Sequence, residues 1–244
     1  MGFPFNDITL YIPSPHANGT PEAWAESSLF NFVSDLYVRK MNGYKPPNTR
    51  RVTIQPAFHK EWDRTWRNGS IVAIAPELIR DEYESLDKHG KYKHTLDLIQ
   101  GAMIQLSDEY KWDKTIFEKA YKDILDANFA FWVDYPAKMA RDKKKTAYFR
   151  IEKTETVSSG YLVINNGDAT SKIKLFDKWN WWLSDGIYAF PRCTKWLDSN
   201  TFGLNYAKGL LEIWHSIERN KVSYLQKGIK VDQIDFGKVF SLDS

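Results

Sequence analysis

Near Asn128 the hydrophobic period of this chain changes from 3.6 residues to 2. Upstream, apolar side chains recur at three- and four-residue steps: Leu96, Ile99, Met103 and Leu106, then Phe117, Ala120, Ile124 and Leu125. That spacing lines one face of an α-helix. Downstream, "TAYFRIEKTET" sets Ala147, Phe149 and Ile151 against Tyr148, Arg150 and Glu152, the alternation of a half-buried strand. "GYLVIN" and "SKIKLF" follow, separated by "NGD", and together these stretches predict a three-stranded antiparallel meander. Helical and strand blocks kept apart in this way predict an α+β fold, antiparallel sheet packed with several helices.

Local signals set the boundaries. Ile8, Leu10 and Ile12 alternate in a strand closed by Pro13 and Pro15. Thr20 has the chemistry of a helix N-cap, with Pro21 at the first helical position, so a helix is expected over about 21–40. Gly43 and the Pro46-Pro47 pair end it. "RRVTIQPAF" and "GSIVAIAPEL" read as strands, and "IRDEYESLDKHGKYK" as a short helix and an exposed loop. Asp113 caps a further helix. Trp112 before it is placed to pack on Phe117 in a hydrophobic staple. An antiparallel helical hairpin over about 92–109 and 114–127 follows from so short a connection. In "FGLNYAKGLLEIWHSIERN", Leu204, Ala207, Leu211, Trp214 and Ile217 predict a last helix. With no internal repeat and no low-complexity linker, the 244 residues make one α+β domain, or two tightly packed halves, 1–135 and 136–244, joined near 135–145.

The N-terminus lacks the basic start and apolar run of a secretory signal, no stretch approaches about 18 apolar residues, and Cys193 is the only cysteine. A cytoplasmic protein without membrane contact is the expectation. Thirty-four basic against 31 acidic side chains give a net charge of +3, too balanced for nucleic acid to be the default partner.

Catalytic signatures are not apparent. None of the 13 glycines stands where a phosphate-cradling loop needs it. His89 and His94, five apart across Gly90, do not share a helical face as metal ligands must, and solvated histidines are the ordinary reading. Cys193 with His215 as base is conceivable chemistry, yet a lone cysteine is usually a small packed side chain. Carboxylates pair at Asp81 with Glu82 and Glu84, at Asp108 with Glu109, and at Glu61 with Asp63. Asp177 and Asp185 flank a Trp-rich stretch as a glycosidase's pair flanks its sugar. Turn and helix-face carboxylates are more often plain solvated charge. No cofactor, no metal and no enzymatic activity are expected.

Aromatic content points to binding. Ten Trp in a chain that is 15% aromatic exceed what packing usually demands, and Trp179, Trp181 and Trp182, followed by Tyr188, fall in one segment. No regular structure sends all three indoles into one core, so at least one faces solvent or a partner. Tryptophans of this kind anchor protein interfaces, and also stack on sugars. A second candidate is "KMARDKKKTAYFRIEK". There Lys138, Arg141, Lys143, Lys144 and Lys145 precede Tyr148 and Phe149, a combination that suits single-stranded nucleic acid as well as the defence of a strand edge.

From His94 to Ile151, the helix "HTLDLIQGAMIQLSDEYKWD", the helix "FEKAYKDILDANF" and "YPAKMARDKKKTAYFRIE" leading into sheet resemble the layout of bacterial immunity proteins of polymorphic toxin and contact-dependent inhibition systems. The resemblance covers about a quarter of the chain. It implies a cytoplasmic, non-catalytic inhibitor that binds a cognate toxin domain. The candidate contact residues are Trp179, Trp181, Trp182 and Tyr188 in the aromatic segment and Asp81, Glu82, Glu84 and Asp87 in the acidic one. A carbohydrate-active enzyme or carbohydrate-binding module using the same tryptophans, and nucleic-acid binding through 138–150, are the alternatives.

Overall fold

The computed structural model describes residues 5, 7–12, 14–16, 18–56, 65–167, 169–179, 187–206, 209 and 211–227. Helix and strand are present in equal measure, 35% and 36%, so the fold is α+β. The chain divides into two compact units, Met1–Ala130 and Phe131–Ser244.

Unit 1 is built on a four-stranded sheet of β1 (Asp7–Leu10), β2 (Arg51–Ile54), β3 (Thr65–Asn68) and β4 (Ile71–Ile74), in the order β1-β2-β4-β3. β1, β2 and β4 run parallel and β3 is antiparallel to β4. A parallel pair needs a crossover, which α1 (Pro21–Lys40) supplies between β1 and β2. The register aligns Ile8 with Val52 and Val72, and Leu10 with Ile54 and Ile74. Apart from Leu10, these side chains are fully buried on one face of the sheet. Asp7 and Arg51 pair on the other face, with Arg51 Nε and Nη2 donating to the two carboxylate oxygens at 2.6 and 2.8 Å.

The helix signals act as their chemistry dictates. Thr20 accepts a hydrogen bond from the Ala23 amide at 3.3 Å, and Pro21 opens α1. α2 (Arg80–Ser85) precedes α3 (Lys88–Tyr110), which is capped by Asp87 accepting from the Gly90 amide at 2.7 Å. Lys111 takes a left-handed conformation (φ 57°) and ends α3. Asp113 then caps α4 (Lys114–Asp126) by accepting from the Thr115 amide. Trp112 and Phe117 are both buried, with ring centres 6.3 Å apart. The buried Tyr37 hydroxyl of α1 donates to Gln100 Oε1 of α3 at 2.6 Å and lies 3.4 Å from the Phe117 carbonyl of α4, so one side chain ties three helices. Burial pushes its phenol far above the ordinary value.

Unit 2 is mostly antiparallel strand. β5 (Phe131–Asp134), β6 (Lys138–Met139), β7 (Lys145–Lys153), β8 (Val157–Asn166) and β9 (Ala169–Trp179) form one sheet. β5 and β6 both pair with β7. The expected meander is β7-β8-β9, turned at Gly167 with φ +62°. A 3-10 helix, Ile187–Cys193, leads to a second sheet of β10 (Thr194–Trp196), β11 (Thr201–Tyr206), β12 (Leu211–Ser216) and β13 (Lys221–Gln226), each paired with the next. The core interleaves Phe149, Ile151, Leu162 and Phe176 of the first sheet with Phe202, Leu204, Leu211 and Ile213 of the second. At Gly160, where the β8–β9 register shifts, a Cβ would stand 2.7 to 2.8 Å from the Phe176 and Phe149 rings, so the missing side chain lets the two phenyls close.

The helix expected over "FGLNYAKGLLEIWHSIERN" is therefore a β-hairpin, β11 and β12. Leu211, Ile213 and His215 are buried, while Glu212, Trp214 and Ser216 alternate with them on the other face. The apolar positions that fit a helical stripe fit this alternation as well. Gly203 suits the hairpin: a Cβ there would lie 2.0 Å from the Ile213 carbonyl oxygen of the neighbouring strand. β3 had no counterpart in the sequence reading, because "TWRN" carries no alternation.

Candidate functional site

The acidic segment divides between exposed charge and structural support. α2 starts shortly after the carboxyl end of β4, and α1 follows β1, so both helices begin at the same edge of the parallel strands. They meet through Arg80, whose Nη2 donates to Glu26 Oε1 at 2.6 Å and contacts Glu84 Oε1 at 2.5 Å. Lys91 reaches Glu84 Oε2 at 3.3 Å. Beneath them lies the Tyr83 ring, 1% exposed. The Arg80 guanidinium and the Lys91 ammonium sit 5.4 and 5.1 Å from its centre, with His94 edge-on at 5.5 Å. Burial first, then the Glu26 charge, pushes the Tyr83 phenol well above its ordinary value, so it stays protonated.

Seven buried side-chain N or O atoms among the described residues lack a hydrogen-bond partner within the protein. Five belong to this cluster: Glu26 Oε2, Arg80 Nε and Nη1, Tyr83 OH and His94 Nδ1. Asp81, Glu82, Glu84 and Asp87 are all exposed, with Glu84 engaged in ion pairs to Arg80 and Lys91 and Asp87 capping α3. Glu77 and Ile79, just before α2, are exposed as well.

The aromatic segment is only partly described. Trp179 ends β9, its backbone paired with Val157. Trp181, Trp182 and Asp185 lie outside the described residues, as do Glu61 and Asp63. Tyr188 is half-buried against the unit 2 core, its ring centre 5.1 Å from the ammonium of the buried Lys153. Asp177 accepts from Ser159 Oγ at 2.5 Å and pairs with Lys174 at 2.7 Å.

Other candidates are placed by their contacts. Cys193 donates to the Ala189 carbonyl at 3.7 Å. His215 is buried on the inner face of β12 with Nδ1 unpartnered, and burial lowers its pKa. His89 packs edge-on against Phe129, while His94 faces Tyr83, so the two rings meet different partners. Asp108 pairs with Lys114, and Glu109 accepts from Thr65. In the basic segment, Lys138 donates to the Thr194 carbonyl, and Lys145 to the Ser199 carbonyl and Asn200 Oδ1. Arg141, Lys143 and Lys144 stay exposed on the turn into β7. Among the described residues no three His, Cys, Asp or Glu side chains converge as a metal site, and no helix is long and apolar enough to cross a membrane.

One surface was missed from sequence because its residues were assigned to a helix. On the outer face of the second sheet of unit 2, Lys195, Gly203, Trp214 and Ser223 form one row across four strands. Trp214 leans over Gly203, with a Cβ at Gly203 falling 2.8 Å from its Cε3 atom. Its Nε1 donates to Glu212 Oε2 at 2.8 Å, and Asn205 Nδ2 donates to Glu212 Oε1 at 2.9 Å. The alternation of Glu212, Trp214 and Ser216 with Leu211, Ile213 and His215 was the signal available. No protein family, no characterised protein and no solved structure matches the chain in the comparisons made.

Proposed function

We propose that this chain is a non-catalytic, cytoplasmic binding protein of the immunity type, one that neutralises a toxin domain by covering a basic surface on it. The observation that supports this reading is the state of α2. Its inner side is held by Arg80, Tyr83 and Glu84, while Asp81 and Glu82 project into solvent beside the exposed Ile79 and Glu77. A helix anchored from its inner side loses little backbone freedom on docking, and its outer side places negative charge locally on a chain whose net charge is +3. The aromatic segment stays with the proposal as a second contact region.

The test is capture of the tagged chain from its native cell lysate after nuclease treatment, in parallel with an Asp81→Lys, Glu82→Lys double variant. One protein held near one to one by the wild type, toxic when expressed alone, and at least tenfold less by the folded variant is the expected result. Partner binding unchanged by the double reversal would remove α2 from the interface. Absence of any such partner would remove the inhibitor reading itself. Recovery of nucleic acid when nuclease is omitted would favour the exposed Arg141, Lys143 and Lys144 turn instead.

A further inference from the structure

We propose that one end of unit 2 binds double-stranded nucleic acid through its phosphates, without sequence preference. This does not rest on the toxin-inhibitor reading and concerns a different surface.

The inference starts from charge that the fold gathers. Segments 138–145, 192–200 and 217–221 together carry nine basic and three acidic side chains, on a chain whose net charge is only +3. They are distant in sequence and joined in space by a chain of bonds. Lys138 Nζ donates to the Thr194 carbonyl, and Trp196 Nε1 donates to the Lys138 carbonyl at 2.8 Å. Lys145 Nζ donates to Asn200 Oδ1 at 2.9 Å, Asn200 Nδ2 to Glu218 Oε1 at 2.5 Å, and the Ile217 amide to the Asn200 carbonyl at 2.8 Å. The turn into β7, the strand β10 and the turns that follow β10 and β12 therefore share one end of the unit.

Sign counts as much as number. Each of the three carboxylates is engaged from within. Asp142 accepts from the Lys144 amide at 3.0 Å and pairs with Lys145 at 3.3 Å, Asp198 accepts from the Asn200 amide at 2.7 Å, and Glu218 accepts from the Asn200 side chain. Arg141, Lys143, Lys144, Arg192, Arg219 and Lys221 are exposed, and none of these six side chains makes a hydrogen bond or ion pair among the described residues. Five of the six stand at the two turns that Lys145 and Asn200 tie together. Like charges gathered in this way repel one another and attract a polyanion.

The kind of polyanion follows from what else the surface offers. Phe149, the aromatic side chain that the basic run would lend to base stacking, is buried in the core, and Tyr148 is half-buried. What remains is charge, and a duplex carries about one negative charge per 1.7 Å of its axis, denser than a single strand. The exposed Asn220 adds a neutral donor of the kind that meets phosphate and sugar oxygens. Met139 and Leu197 are exposed beside the cations, yet two apolar side chains on separate segments do not make the amphipathic helix that seats a protein in an anionic membrane.

The test is fluorescence anisotropy of a labelled twenty-base-pair DNA duplex of mixed sequence titrated with the full chain. The corresponding single strand, and vesicles of equal phosphatidylcholine and phosphatidylserine assayed by co-sedimentation, serve as comparisons. Duplex binding at about 50 mM salt is expected, at least as tight as to the single strand. It should fall by roughly a hundredfold or more by about 200 mM salt, as about four to six phosphate contacts require. Reversal of one turn (Arg141→Glu, Lys143→Glu, Lys144→Glu) or of the other (Arg219→Glu, Lys221→Glu) should weaken binding at least tenfold. A Lys119→Glu, Lys122→Glu control, which reverses two exposed charges of α4 in unit 1, should change it less than threefold. The salt dependence of the wild type is a readout that needs no variant to fold. Absence of duplex binding at low salt would overturn the proposal. So would a loss with the control as large as with the turns, a loss confined to the first turn, or tighter association with the single strand or the vesicles than with the duplex.

Discussion

The helices of unit 1 are joined by polar side chains, whereas the closest approaches within the sheets of unit 2 are set by glycine. In unit 1 the ties are polar. The Tyr37 hydroxyl donates to Gln100 of α3 and lies 3.4 Å from the Phe117 carbonyl of α4, and Arg80 bonds α1 to α2 through part-buried charge. In unit 2 polar bonds such as Lys145 to Asn200 also join the sheets, but the closest approaches within each sheet are steric, since Gly160 and Gly203 let phenyl rings and backbone come together where any side chain would collide. A polar tie is directional and tolerates small shifts in packing, but it is costly to leave half-made. A steric tie has no partner to lose and no tolerance for added volume.

The largest expected effect tests the steric side. Gly203→Ala puts a methyl 2.0 Å from the Ile213 carbonyl oxygen and 2.8 Å from Trp214 Cα, both backbone atoms that cannot step aside. Denaturant unfolding should show a loss of about 3 kcal/mol or more. A loss below about 1 kcal/mol would mean that β11 and β12 separate easily, and the contrast would fail. On the polar side, Glu26→Gln removes a charge from the Arg80 contact and should cost about 2 kcal/mol, the worth of a hydrogen bond between charged groups. Hydrogen exchange should place that loss in α1 and α2.

Tyr37→Phe sharpens the comparison further. It removes one hydroxyl without changing volume and strands Gln100 Oε1, for about 1 kcal/mol. A larger loss, with α1, α3 and α4 all exposed together, would make the hydroxyl the organiser of the helical layer.

The smallest effect is one of pH. His215 is a buried base whose pKa falls below its ordinary 6.5 on folding. Above pH 6.5 it is neutral in both states and costs nothing. As pH falls, the unfolded chain takes up the proton first, so stability is lost from about 6.5 downward through the folded value. The His215→Asn variant should flatten that part of the stability profile, measured as melting temperature against pH. An unchanged slope would assign the effect to other groups.

Legibility from sequence followed the reach of the forces. Thr20, Asp113 and the Trp112–Phe117 staple act within four residues, and the helices they bound could be read directly. Asp87 acts as locally, but its role as a cap was hidden inside a stretch assigned to an acidic surface. The parallel pairing of β1 with β2 and β4 joins distant residues and left no mark in local spacing. A helical reading of β11 and β12 fails because Leu204, Leu211, Trp214 and Ile217 satisfy a three-to-four step by coincidence, while the close Gly203 approach that the hairpin needs is visible only across the two strands. The Trp214 surface was lost with them. At the acidic edge, the charge pattern showed which residues were anionic but not that Arg80 lies under Glu84.

The Asp7–Arg51 pair bears on how the chain is made. These partners are 44 residues apart, so β1 cannot make its described pairing until α1 and β2 have left the ribosome. β8 and β9, by contrast, are joined through a turn of a few residues and can pair as soon as they emerge. Loop closure must be completed before a distant contact rewards it, so the sheet of unit 1 is slower to form than the meander that follows it. Synthesis puts β1 ahead of the other described strands, and folding leaves it among the last of them to find a neighbour.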